Sequence, residues 1–289
     1  MINYILLLVS LILGVTKNII PKSGKKDFSG FDNLMSVNII TAIIGIIIFE
    51  LSGIDFAMMK GIPFIALAFL YGLCTLGSQS LYMVATQTGS VSVCSLIYAA
   101  CFIIPTVFTA VCYDEKFSIF RIIGIIVMLL SVILISIKGE KNTNSSKKYL
   151  IFAFLAMICA GSVGIMQKAF SHLYNGTGIN EYLLLAFFFM FLFSLIGKII
   201  IQKKENESIK HNKNFYILAV VLSLSVVVAN KLNMFLVGAL PGLIFFPIIN
   251  GGTIMFSAIV SKYLFKEQLS FMSWCGIVIG IFAIVLIAL

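Results

Sequence analysis

The chain has 289 residues, 61% of them hydrophobic and 11% charged, and its mean hydropathy is +1.11. Soluble domains carry about 25% charged residues, so a chain this poor in charge could not cover its own surface in water and reads as an integral membrane protein. The net charge of +9 does not point to nucleic acid, because the basic residues sit in short loops between apolar runs, where they set topology and meet anionic membrane lipids.

A spanning helix needs about 20 mostly apolar residues. Ten stretches qualify: 2–20, 34–53, 62–87, 90–112, 118–137, 149–170, 182–202, 214–238, 241–263 and 270–289. The opening MINYILLLVSLILG lacks a basic leader and a small-residue cleavage site, so it reads as a first span, whose apolar run ends early at Thr16-Lys17-Asn18. Pro247 and Asn250-Gly251-Gly252 predict a ninth span that is locally loosened, with carbonyls turned toward a cavity. The longest loops are 21–33, 138–148 and 203–213. The middle one is a polar linker, which divides the chain into units 1–140 and 141–289.

The two units align at a shift of 152 residues. Glu115-x-x-Ser118 then meets Glu267-x-x-Ser270, and Gly124 meets Gly276; between 114–135 and 266–287, six of 22 positions are identical. The same shift puts Gly89 on Pro241 at matching turns and Gln79 on Lys231. Agreement of punctuation with sequence indicates a duplication. Five spans per unit is an odd number, so the second unit enters the membrane upside down. The expected fold is an all-α integral membrane protein whose ten transmembrane helices form two inverted five-helix repeats. Fifteen basic residues fall on one set of loops and four on the other, which assigns the first set to the cytoplasm and both termini to the outside.

All six cysteines lie in apolar spans without a C-x-x-C pair, and His172 and His211 lie in different loops. No disulfide framework, metal site or cofactor is expected. No G-x-x-x-x-G-K-[ST] occurs, so no attached ATPase drives the protein.

The run FFPIINGG at 245–252, the Pro-Gly turn at 241–242 and LFKEQLS at 264–270 before a Gly-rich last span resemble the ten-helix, EamA-type branch of the drug/metabolite transporter superfamily. The first half carries a looser version, SLIYAACFIIPTVFTAV at 95–111 and DEKFS at 114–118. The resemblance implies a secondary carrier with a central cavity and alternating access, and it leaves the solute open. It departs from the small multidrug-resistance branch, whose first-span Glu is missing here from 2–20 and from 149–170.

Lys231 is the sharpest candidate. It lies seven residues before the end of its span, roughly 7 Å from the midplane. A Lys near a helix centre costs about 2.5–3.5 kcal/mol unless it meets water or a partner. It either snorkels to the interface or lines a cavity as the cation for a carboxylate- or phosphate-bearing solute. Asn230 and Asn233 share one face of the same span and serve either as interhelical glue or as solute contacts. Gln79 and Tyr82 repeat the spacing across the midplane, and Tyr98 and Asn250 are equivalent positions in the fourth and ninth spans. These seven residues form the expected substrate site. Glu50, three residues from a span end, is expected at the interface. Glu115 and Glu267 read as helix-start charges beside the N-caps Ser118 and Ser270. Gly276-x-x-x-Gly280 permits close helix packing, within one chain or in a homodimer. Asn144, Asn175 and Asn206 match N-x-[ST], a motif common by chance.

The leading expectation is a secondary transporter, an exporter of a small polar organic metabolite at the cell membrane, with an organic-cation exporter of the same fold as the alternative. A membrane-embedded enzyme is disfavoured because no span contains an Asp or a catalytic His centre. A channel is disfavoured because one intramembrane Lys does not make a selective pore.

Overall fold

The structure, a computed structural model, describes residues 2–24, 28, 30–59, 61–89, 91–113, 115, 118–136, 148–205, 212–266 and 269–289. The helices are α1 (Ile2–Ser23), α2 (Phe31–Leu51), α3 (Ile62–Thr88), α4 (Val91–Ala99), α5 (Ile103–Cys112), α6 (Ile119–Ser136), α7 (Lys148–Leu173), α8 (Ile179–Glu205), α9 (Lys213–Ala239), α10 (Gly242–Phe265) and α11 (Phe271–Ala288). They supply 10 segments long and apolar enough to cross a membrane, at the positions read from the sequence. α4 and α5 make the fourth segment together. All regular structure among the described residues is helical, as lipid requires of a chain that must pair its own backbone. The linker, Glu267, His211, Asn144 and Asn206 lie outside the described residues.

Packing follows an exchange rule. α3 packs on α7 and α8, while α9 packs on α1 and α2; α5 packs on α7, while α10 packs on α1. Swapping the first five segments for the second five turns each pairing into its counterpart. The register says more. A Cβ on Gly124 would meet Ile287, and one on Gly276 would meet Ile135. These two contacts interchange at the 152-residue shift, and they run the fifth and tenth segments antiparallel. α2 and α8 are antiparallel too, since Gly45 meets Phe187 and Met35 meets Gly197.

Outward faces are apolar. Val278, Ile281, Phe282 and Val285 of α11 are all at least half exposed, a stripe suited to lipid. α10 differs, because 56% of its spanning window is buried inside the protein, against 22–44% for the other nine. Phe245, Phe246 and Met255 pack there with Leu7 and Leu11 of α1, Met128 of α6 and Ile287 of α11.

Three expectations are corrected. First, Lys17, one of the fifteen basic residues assigned to loops, lies inside α1, which fills the expected span 2–20 and runs on to Ser23, with Asn18 donating to Ser257 Oγ of α10 (3.0 Å). Second, the ninth segment is not loosened: α10 is continuous through Pro247. Its glycines serve close packing instead, since a Cβ would meet Met128 Sδ at Gly251 and lie 3.0 Å from Leu11 at Gly252. The break falls in the fourth segment, a 3-10 turn at Ala100–Phe102. Pro105 explains it, because its ring cannot accommodate an α-helical carbonyl from Cys101 four residues back. Third, Glu115 serves a different helix from the expected one, as described below.

Gly276 and Gly280 are buried within the chain. Gly276 packs on the α6 backbone, with its carbonyl accepting from Ser131 Oγ at 2.7 Å, and Gly280 packs on Met255 and Ser131. A homodimer would need another surface. Ser270 caps α11, accepting from Ser273 N at 3.1 Å, and Glu50 is exposed in the last turn of α2.

Candidate functional site: a charged cleft around Lys231

At the end of the bundle that holds the N-terminus, the chain turns from α7 into α8 through Asn175-Gly176-Thr177-Gly178. Asn175, Gly176 and Gly178 have φ of 50°, 69° and 70°, values that only Gly and, at some cost, Asn adopt readily. The turn is anchored below by an aromatic cluster: Tyr182 stacks on Phe170 (4.1 Å between centroids), and Phe64 meets both edge-on. Its upper face lines a cleft of about 610 Å³, closed on the other side by Lys231, Leu232 and Phe235 of α9.

Charge in the cleft is of both signs. Lys231 is half-buried and, among the described residues, has no hydrogen-bond or ion-pair partner. Glu181 lies in the first turn of α8, where the helix dipole favours an acid. It is only 7% exposed, and its Oε1 accepts from the Asp55 amide at 3.0 Å. Asp55 also lines the cleft, as does Asn180, whose buried Oδ1 lacks a partner.

A second cleft of about 520 Å³ shares Gly176, Ile179 and Phe235 with the first and adds Lys168, Ser171, His172 and Asn175. Behind it lies the ion pair Lys168–Glu115, at 3.0 Å. Glu115 accepts from the amides of Gly242 (2.9 Å) and Leu243 (3.1 Å), the exposed donors at the start of α10. Lys168 donates to the carbonyls of Val237 (3.2 Å) and Leu240 (3.4 Å), the open acceptors at the end of α9. One ion pair thus caps two helix ends across the Ala239–Pro241 turn. Burial alone would raise the Glu115 carboxyl; the two amides and Lys168 outweigh it and hold the group below its ordinary value. Glu115 is therefore a cap for α10 and not a start signal for α6.

Of the seven expected site residues, only Lys231 lines these clefts. Asn230 accepts from Tyr71 OH of α3 at 2.6 Å and donates to Val226 O, and Tyr71 also accepts from Gln167 at 3.3 Å. Asn233 accepts from Ser10 Oγ of α1 at 2.5 Å. The two amides tie α9 to α3 and to α1. Replacing Tyr71 by Phe is expected to lower stability by about 0.6 kcal/mol, the usual worth of an interhelical bond in lipid, measurable as a shift in SDS-unfolding midpoint. Tyr82 and Tyr98 form a ring pair at 4.7 Å between α3 and α4, with Gln79 half-buried on the same helix as Tyr82. Asn250 donates back to Phe246 O at 3.0 Å. Sequence reasoning missed Asp55, Glu181 and Lys168. Asp55 and Glu181 sit at loops and helix starts, where acids are ordinary, and Lys168 had been counted as a loop charge.

Ten apolar helices with a charged cleft at one end of the bundle make a multi-pass membrane protein. Residues 147–289 form an EamA-like transporter family domain, and the ten helices fit the drug/metabolite transporter type. The match covers the second half of the chain, and the family it names is one of membrane transporters. No curated protein matches the chain. Among solved structures 28 chains match it. One, a crystal structure, aligns over 98% of this chain and 95% of its own with a TM-score of 0.78 and 12% sequence identity, a likeness of fold alone.

Proposed function

We propose that the protein is a secondary carrier in the cell membrane, exporting a small polar organic metabolite by alternating access between its two five-helix units. The observation that carries this reading is the unpartnered Lys231 ammonium in a cleft large enough for a small metabolite. A cation kept in an apolar segment at a cost of about 2.5–3.5 kcal/mol calls for an anionic solute group. Asp55 and Glu181 on the facing wall suit an ammonium group, so an amino-acid-like zwitterion matches both walls best.

In proteoliposomes preloaded with radiolabelled amino acids, the wild-type chain is expected to show efflux above empty liposomes. Lys231→Met is expected to reduce that efflux about tenfold, the loss of one charge-assisted contact. Equal efflux from both proteins overturns the role of Lys231. The two acids favour a second reading, an organic-cation exporter. In that case Lys231→Met leaves organic-cation efflux intact or raises it.

A further inference from the structure

Lys17 belongs to no element of the site above. It lies inside the apolar segment Ile2–Pro21, six residues before the end of α1. Its side chain is nevertheless exposed. Exposure on a spanning helix means either lipid or an internal aqueous space, and the helix itself distinguishes them. Ile2, Tyr4, Ile5, Leu8, Val9 and Ile12 are the exposed large apolar residues of α1 and mark its lipid face, whose edge at Ile2 and Val9 lies about 60–80° round the helix from Lys17. Lys17 comes seven residues after Ser10, which places it within about 20° of the same stripe. That stripe faces the protein: Ser10 bonds to Asn233 of α9, and a Cβ on Gly14 would lie 2.8 Å from Thr253 Oγ1 of α10. Cys101, in the 3-10 break of the fourth segment, lies within electrostatic range of Lys17. Lys17 therefore points into the bundle, among α1, α10 and the 3-10 turn of the fourth segment, and it is open there.

Lys17 makes no hydrogen bond or ion pair with any described residue. The neighbouring side chains Asn18, Ser257 and Thr253 are polar but uncharged. Lys17 lies beyond the middle of α1 and Lys231 beyond the middle of α9, and the two helices are antiparallel, with Ser10 at Asn233 and Gly24 near Leu218. At that register Lys17 is level with about residue 226 of α9, so the two cations lie roughly 8 Å apart along the bundle axis, with Lys17 nearer the end away from the N-terminus.

We propose that Lys17 is a second anion site, in the cytoplasmic half of the path, where a carboxylate-bearing solute makes its first charged contact before reaching Lys231. This inference rests on the anionic-solute reading for the direction of transfer, but the local site can be tested apart from it. The probe is a cysteine at position 18 in a chain whose six native cysteines are replaced by alanine. With Lys17 present, a sulfonate methanethiosulfonate added from the cytoplasmic side is expected to react about tenfold faster than its trimethylammonium analogue, because a walled cavity focuses the field of one charge. Lys17→Gln is expected to abolish that preference. No reaction with either reagent, or the same ratio with and without Lys17, overturns the proposal.

A second measurement avoids the cysteine-free background. Lys17→Gln of the native chain is expected to reduce amino-acid efflux about tenfold at low internal concentration, with Lys17→Arg restoring it. Unchanged efflux in Lys17→Gln overturns the site. Wild-type chains without efflux, or full efflux in Lys231→Met, would remove the solute reading while the labelling ratio still decides Lys17.

Discussion

Replacing Glu115 by alanine is expected to destabilise the protein by about 3 kcal/mol, the lower end for a buried pair broken on one side, since its side chains remain 12% and 15% exposed. Three things are lost together. The amides of Gly242 and Leu243 lose their acceptor, Lys168 loses its counter-charge, and the α5–α6 connection loses its hold on the α9–α10 turn. Lys168→Met is expected to cost somewhat less, because Glu115 keeps both amides. The double variant should cost less than the sum of the two, and a double-mutant cycle on the unfolding midpoint reads the coupling directly. Independent, additive effects would show that the pair contributes nothing jointly.

The same carboxylate gives a pH dependence of definite sign. Its pKa in the folded protein lies below the ordinary 4.5. Its stabilising contribution is therefore complete above about pH 4.5 and is lost as pH falls through the lower, folded-state value. Glu115→Gln should flatten that acid limb, measured as melting temperature against pH.

The second large effect is expected at Gly276. A Cβ there would lie 2.8 Å from the Ser131 carbonyl oxygen and 3.0 Å from the Ile135 amide nitrogen, so the obstacle is backbone on a neighbouring helix. Gly276→Leu is expected to cost about 3 kcal/mol or more by forcing α6 and α11 apart, with loss of folded protein in detergent as the readout. Gly176→Ala offers a contrast. Nothing lies within 4 Å of its Cβ position, so its cost comes only from the left-handed backbone, about 1 kcal/mol.

The ten segments were legible because crossing a bilayer needs only length and apolarity, both local properties. The 152-residue offset was legible in Gly124 and Gly276, and in the structure each glycine admits the helix that carries the other. Lys231 stood out because a charge in an apolar run is costly wherever it points. The rest depends on contacts that spacing does not carry. Glu115 caps a helix 127 residues away, and nothing in DEKFS indicates that. Lys17 counts with the loop charges in the sequence because it follows the apolar run; the structure puts it inside α1, which continues to Ser23. Pro247 predicted a break that Pro105 makes instead.

The enclosure of α10 has a consequence for how the molecule is made. Synthesis runs from the N-terminus, so this helix leaves the ribosome after eight other spanning segments. The eight segments before it must wait in the bilayer with a gap at their centre, their inward surfaces temporarily wet or filled by lipid. Assembly is finished from the inside, when a late arrival displaces whatever fills that space.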